Sequence, residues 1–147
     1  MAQLLFSQLS RQVLGACFAV HNALGPGLVT RFACCSPMQP GLLESAYEGA
    51  LAIEFQQQGL AFERQVVYPV YYKGHMAGAY VADMVVAGKI ILELKSVQSL
   101  GKFMEAQLLN YLRLSKVPVG YLVDFNGERV VWRRFVYGGV EYPKTLC

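Results

Sequence analysis

The sequence predicts a single α/β domain in which helices flank a mixed central sheet. The chain has 147 residues, of which 54% are hydrophobic and only 16% are charged, so it can bury a sizeable core and is not disordered. Such a composition is typical of a sheet that is covered on both faces. Segments with helical spacing of apolar residues are also interrupted by runs rich in valine and tyrosine. The predicted order is two helices, three strands, one helix and two strands.

The helices are predicted from apolar residues that recur about four positions apart. The first helix covers Leu4–Leu24 and stops at Gly25-Pro26-Gly27, and the second covers Leu42–Gln58 and stops at Gly59. The third helix begins at Gly101. Four of its apolar residues are expected to face the sheet: Phe103, Met104, Leu108 and Leu112.

The strands are predicted from short runs of β-branched and aromatic residues separated by turn residues. Their predicted bounds are Phe62–Tyr72, Tyr80–Val86, Lys89–Lys95, Pro118–Phe125 and Arg129–Val136. Pro69 has no N–H to donate to a neighbouring strand, so the first strand is expected at an edge of the sheet. Turns are predicted at Lys73–Gly78, Ala87–Lys89 and Asn126-Gly127.

Charge, cysteine usage and hydropathy restrict the class of protein. The net charge of +3 is compatible with a nucleic-acid partner but does not establish one. The four cysteines have no C-x-x-C spacing and no histidine partner, so reduced thiols are expected rather than a zinc site or disulfides. No run reaches membrane-spanning length, and the pattern of a signal peptide is missing. A soluble, intracellular protein without membrane contact is therefore expected.

Three charged residues interrupt strands that are otherwise apolar. In the run Lys89–Lys95, period-two alternation directs Ile90, Leu92 and Leu94 to one face, and it directs Glu93 and Lys95 to the other. The neighbouring strand brings Asp83. Because buried charge is costly unless it is paired or bound to a metal, this arrangement indicates a functional site.

The residue types indicate a divalent-metal site for phosphodiester cleavage. Mg²⁺ or Mn²⁺ prefers oxygen ligands, which Asp83, Glu93 and the backbone carbonyl of Leu94 can supply, with Glu44 as a direct or water-mediated ligand. Lys95 can then hold the scissile phosphate or orient the attacking water. Each residue also has a structural alternative. Glu93 and Lys95 can form a pair on an exposed strand, Asp83 can cap a turn, and Glu44 can complement a helix dipole.

The third predicted helix adds a polar pair beside this site. Gln107 and Tyr111 are four residues apart and therefore share a helix face. They can hydrogen-bond a nucleic-acid backbone, and an ordinary amphipathic helix with a tyrosine at the edge of the core is an equally good interpretation.

Four blocks in order resemble the GxxExxY proteins, a family within the PD-(D/E)XK nuclease superfamily. The blocks are Gly41-Leu-Leu-Glu44-Ser-Ala-Tyr47, Ala82-Asp83, Ile91-Leu-Glu93-Leu-Lys95-Ser-Val and Gln107-Leu-Leu-Asn-Tyr-Leu112. Gln107 and Tyr111 also resemble the Q-x-x-x-Y motif of the RecB-type exonuclease branch. The resemblance extends over nearly the whole chain, and four blocks in order are far more specific than the acid-x-lysine motif alone.

The resemblance implies a restriction-endonuclease-like sandwich whose core site residues are Asp83, Glu93 and Lys95, with Glu44 and Gln107 as auxiliary residues. His21 precedes the Gly-Pro-Gly turn as a histidine does in many relatives, although a structural helix histidine is the simpler interpretation. The implied activity is metal-dependent hydrolysis of nucleic acid, with DNA favoured over RNA. A catalytically silent module that binds nucleic acid or protein is the alternative. A homodimer and a complex with another protein are both compatible with the sequence.

The chain departs from the family pattern between its first two helices. In relatives the first Pro-Gly leads directly into the Leu-Leu-Glu block, whereas here Gln39-Pro-Gly-Leu42 repeats Gly25-Pro-Gly-Leu28. Residues 28–41 are therefore expected to be an inserted loop within a single domain of residues 1–136, followed by a tail of residues 137–147. Either a genuine insertion or an artefact of the gene model accounts for this segment.

Overall fold

The computed structural model describes residues 5–26 and 42–137. Its helices are α1 (Ser7–Leu24), α2 (Leu42–Gln57) and α3 (Lys102–Ser115). Its strands are β1 (Phe62–Tyr72), β2 (His75–Val86), β3 (Ile90–Lys95), β4 (Val119–Asp124) and β5 (Val131–Val136). The five strands form one sheet in the order β1-β2-β3-β4-β5, in which only β3 and β4 pair in parallel. The predicted element order and the mixed sheet are confirmed, and β1 lies at an edge.

The centre of the sheet is buried on both faces, as the composition predicts. Ile90, Leu92 and Leu94 of β3 pack in the core that contains α1 and α2, whereas Ile91 packs in a second core with α3. The period-two interpretation of β3 is therefore confirmed, and it leaves Glu93 on the face that α3 covers.

Two aromatic side chains anchor the N-terminal helices to the β4–β5 connection. Tyr47 of α2 stacks on Phe125 with ring centroids 4.4 Å apart, and its hydroxyl donates to the carbonyl of Gly25. His21 of α1 is buried, and its Nε2 lies 2.9 Å from the carbonyl oxygen of Gly127, to which it donates. This contact gives His21 a structural role in holding α1 against the sheet.

Helix α3 approaches β4 closely because Gly120 has no side chain. A Cβ atom at Gly120 would lie 2.9 Å from Cδ1 of the fully buried Leu108, well inside van der Waals contact. Leu108, Tyr111 and Leu112 thereby pack on the sheet. The close approach brings the Gln107–Tyr111 face of α3 to the polar residues of β2 and β3.

The prediction that Phe103 faces the sheet is wrong. Its side chain is 83% exposed, whereas Met104, Leu108 and Leu112 contact the core as predicted. Leu108 comes five positions after Phe103, which places the two side chains about 140° apart around the helix. Tyr111 takes the remaining core position of α3.

Two connections also differ from their predicted lengths. β2 begins at His75 rather than Tyr80, because backbone pairing with β1 starts at Tyr72 and His75 and does not require apolar side chains. The link between β4 and β5 covers residues 125–130 rather than a two-residue turn. The predicted insertion at residues 28–41 lies outside the described residues, as do residues 138–147 of the tail, and the domain bounds stay a prediction.

Candidate active site

The candidate site lies where β2 and β3 separate. Their pairing ends at Met84 and Leu92, beyond which β2 continues along β1 and β3 continues along β4. Asp83 and Glu93 are the next residues on each side of this fork. Their carboxylates bond to the backbone there: the N–H of Leu94 donates to Oδ2 of Asp83 at 2.8 Å, and the N–H of Asp83 donates to Oε1 of Glu93 at 3.3 Å. These two hydrogen bonds bring both acids to one point.

Burial and mutual repulsion make the two carboxylates hard to ionise together. Glu93 is only 3% exposed, and burial raises its pKa to about 8, with the charge of Asp83 adding to the effect and that of Lys95 opposing it. Burial also raises the pKa of Asp83, against the hydrogen bond from Leu94 and the charge of Lys95. A pair of crowded acids of this kind is stabilised when a cation binds between them.

Lys95 and the backbone of Leu94 complete the polar groups of β3. The charge of Lys95 lowers the pKa of both Asp83 and Glu93, so its ammonium group lies near the acid pair. The carbonyl of Lys95 faces β4, where it accepts from the N–H of Phe125 at 2.9 Å. Because neighbouring carbonyls of a strand point to opposite edges, the carbonyl of Leu94 faces β2 and the fork.

Helix α2 contributes two further acids. Glu44 and Glu48 are four residues apart, and the negative charge of each raises the pKa of Asp83. Glu44 has the same effect on Glu93, so the predicted auxiliary acid is close to the pair.

Glu48 is the residue that the sequence did not identify as part of this region. Its buried carboxylate accepts from Nε of Arg64 and from Nε2 of Gln65, each at 2.8 Å. These contacts tie α2 to β1 beside Asp83. The position of Glu48 four residues after Glu44 was the signal that the sequence offered. Its hydrogen-bond partners on β1 depend on tertiary structure.

Helix α3 brings Gln107 and Tyr111 to the same acids. Nε2 of Gln107 donates to the hydroxyl of Tyr111 at 3.1 Å, and the ring of Tyr80 meets Tyr111 edge-on at 5.4 Å. Burial raises the pKa of Tyr111 to about 12, and the charges of Glu93 and Asp83 add to the shift. The hydroxyl of Tyr111 is therefore a protonated donor beside the acid pair.

The donor set suits a hard cation that keeps part of its water shell. Within residues 5–26 and 42–137, no three His, Cys, Asp or Glu side chains form a group that could hold a metal ion. Two carboxylates and one carbonyl nevertheless match Mg²⁺, which binds proteins through one or two carboxylates and retains several waters. These groups are the carboxylates of Asp83 and Glu93 and the backbone carbonyl of Leu94.

Comparison with known families identifies the class of protein to which this fold belongs. The family model described as the PD-(D/E)XK nuclease superfamily matches residues 7–135, which include all eight elements except the last residue of β5. The chain belongs to the PD-(D/E)XK nuclease superfamily. This confirms the superfamily and its α/β restriction-endonuclease-like fold, while the likeness to the GxxExxY family stays a resemblance.

Similarity to individual proteins is weaker. A solved structure, the crystal structure of SSO0001, has a TM-score of 0.49 and 18% sequence identity, covering 88% of this chain and 61% of that one. The chain thus spans less than two thirds of the length of SSO0001. No curated protein matches the chain. Every helix within residues 5–26 and 42–137 is too short or too polar to span a bilayer.

Proposed function

We propose that the protein is a divalent-metal-dependent nuclease that hydrolyses phosphodiester bonds, with DNA as the first substrate to test. One observation carries the proposal: Asp83 and Glu93 meet at the fork between β2 and β3, where burial raises the pKa of both acids. Membership of the PD-(D/E)XK superfamily supports the same activity. A buried acid pair can also have a purely structural role. Here, however, the neighbouring Lys95 and Tyr111 supply groups that can donate to a phosphate.

The chain's own residues suit Mg²⁺ or Mn²⁺. Asp83, Glu93 and the carbonyl of Leu94 would hold the ion, and Glu44 would bind it directly or through water. A bound divalent ion would supply positive charge to balance the negative charge that develops on the phosphate oxygens, and it would lower the pKa of a coordinated water. The raised pKa values of Asp83 and Glu93 support this assignment, because two carboxylates that repel each other gain most from a shared cation.

Lys95 and the Gln107–Tyr111 pair act on the substrate. The ammonium group of Lys95, whose charge acts on both acids, donates to the scissile phosphate and orients the attacking water. Tyr111 remains protonated, since its pKa is raised to about 12, and it donates to the nucleic-acid backbone. Gln107 holds the Tyr111 hydroxyl in position through their 3.1 Å hydrogen bond.

Lys95→Ala separates catalysis from binding. We expect the cleavage of labelled DNA in Mg²⁺ or Mn²⁺ to fall by about 10²–10³-fold, because the positive charge beside the phosphate is lost. Binding of the same DNA at low salt should remain, because Lys95 is only one of thirteen lysine and arginine residues in the chain. Chelation of the metal should abolish cleavage by the unaltered protein.

Two outcomes would contradict the proposal. Equal cleavage by Lys95→Ala and the unaltered protein would indicate a contaminating nuclease. Salt-sensitive DNA binding by the unaltered protein, without cleavage in any divalent ion, would favour the catalytically silent binding module.

A further inference from the structure

The hairpin formed by β1 and β2 extends beyond the point where β3 separates from β2. Pairing between β1 and β2 continues from the fork to Tyr72 and His75, and α3 covers one face of the part nearest the fork. Val66, Tyr68 and Tyr80 pack there beneath α3. The opposite face of the hairpin is exposed.

Six apolar residues occupy this exposed face, which we name the outer hairpin face. They are Val67, Pro69, Tyr71, Met76, Ala79 and Val81. Directly paired residues share a face of a sheet, and the register pairs Val67 with Val81, Pro69 with Ala79 and Tyr71 with Met76. The register shifts between Val70 and Tyr71, but the extra residue, Ala77, lies in β2, so alternation along β1 still puts its three members on one side.

The exposure of this face is large for a protein surface. Tyr71 is 65% exposed, Met76 67%, Val67 58% and Val81 41%. Together the six side chains expose roughly 500 Å², which is the size of the largest apolar patch on a typical monomer, and such a patch is often functional. Two such faces together would bury about 1,000 Å², which is near the lower limit for a specific protein–protein interface.

The chemistry of the face favours protein over nucleic acid as its partner. None of these six residues carries a charge, so the contact that they make with a partner is apolar rather than a contact with phosphate groups. The way in which side-chain size changes along the hairpin also favours a second copy of the chain as the partner. The bulky pair Tyr71 and Met76 lies at the tip, the small pair Pro69 and Ala79 at the centre, and the two valines at the base.

We infer that the outer hairpin face joins two copies of this chain in a two-fold symmetric dimer. A two-fold axis through the Pro69–Ala79 pair sets the tip of one hairpin against the base of the other. Tyr71 and Met76 of one copy then fill the space above Val67 and Val81 of its partner, while the small residues meet at the axis. The interface is self-complementary in size and polarity.

Measuring the oligomeric state of the full chain tests this inference independently of any cleavage activity. Sedimentation equilibrium should give a mass near twice the chain's 16.3 kDa. Tyr71→Asp should weaken the dimer by about 30-fold or more, because its carboxylate would be buried against apolar residues. Ile53→Asp is the matched control: Ile53 is 58% exposed on α2, outside the face, and its substitution should leave the dimer intact. Circular dichroism checks that both variants are folded.

Cysteine cross-linking tests the geometry. Ala79→Cys lies at the proposed axis, and a short bismaleimide, which alkylates two thiols without an oxidant, should link it to its own symmetry mate above the background from the native cysteines. Val67→Cys should instead cross-link to Tyr71→Cys when the two variants are mixed. A monomer at every concentration, or a dimer that Tyr71→Asp leaves unchanged, would overturn the inference. Loss of DNA binding in Tyr71→Asp without a change of mass would also overturn it and assign the face to nucleic acid.

Discussion

Asp83→Asn is expected to lower the rate of DNA cleavage by about 10²–10³-fold while the protein stays folded. The amide keeps an oxygen that can accept from the N–H of Leu94, so the hydrogen bond at the fork can persist. It removes the negative charge that a divalent cation requires, and the weakened ion site should need more Mg²⁺ for the remaining activity. Single-turnover cleavage across a range of Mg²⁺ concentrations measures both effects.

Glu105→Gln provides the control for Asp83→Asn. Glu105 is also a partly buried carboxylate on the α3 side of the sheet, but it is paired with Arg133 rather than with the acids at the fork. We expect its substitution to change stability slightly and to leave cleavage within about twofold of the unaltered protein. If Asp83→Asn also stayed within that range, Asp83 would have no part in catalysis.

Glu93→Gln is expected to stabilise the metal-free protein at alkaline pH, although it should abolish cleavage. Burial raises the pKa of Glu93 to about 8 in the folded protein, well above its value in the unfolded chain. Between these two pKa values the folded protein holds a proton that the unfolded chain has released. The free energy of unfolding should therefore decrease as pH rises from about 5 to about 8, and it should level off above that.

Glutamine cannot ionise, so the variant should lose most of this pH dependence. Above pH ~8 we expect it to be more stable than the unaltered protein by about 2–4 kcal/mol. The pKa of Asp83 is also raised, so the free energy of unfolding of the variant should still decrease as pH rises, but with a smaller slope. Urea unfolding in the presence of a chelator, at about pH 5 and about pH 8.5, measures the difference. Added Mg²⁺ should stabilise the unaltered protein but not the variant. Parallel pH profiles of the two proteins would contradict this account of Glu93.

The parts of this structure that depend on local pattern were predictable from the sequence. Alternation in β3 separates Glu93 from its apolar neighbours, and Pro69 correctly indicates an edge strand. Helical spacing likewise predicts α1, α2 and the core positions Leu108 and Leu112. These features follow from the period of each element and from burial.

The parts that depend on long-range pairing were not predictable in this way. The separation of β2 from β3 arises from the register of three strands. No local pattern therefore indicates that the carboxylate of Glu93 accepts from the N–H of Asp83 there, or that the carboxylate of Asp83 accepts from the N–H of Leu94. The partners of Glu48 on β1 are likewise long-range contacts. Phe103 was misplaced because one position along a helix turns a side chain by about 100°.

The central claim is that Asp83 and Glu93 bind one divalent cation together, and anomalous diffraction from a crystal soaked in Mn²⁺ tests it most directly. The account predicts an anomalous peak within coordination distance of both carboxylates and of the Leu94 carbonyl, and it predicts that the peak is lost in Asp83→Asn. A crystal in which no manganese lies between the two acids, or in which the peak persists in Asp83→Asn, would contradict it.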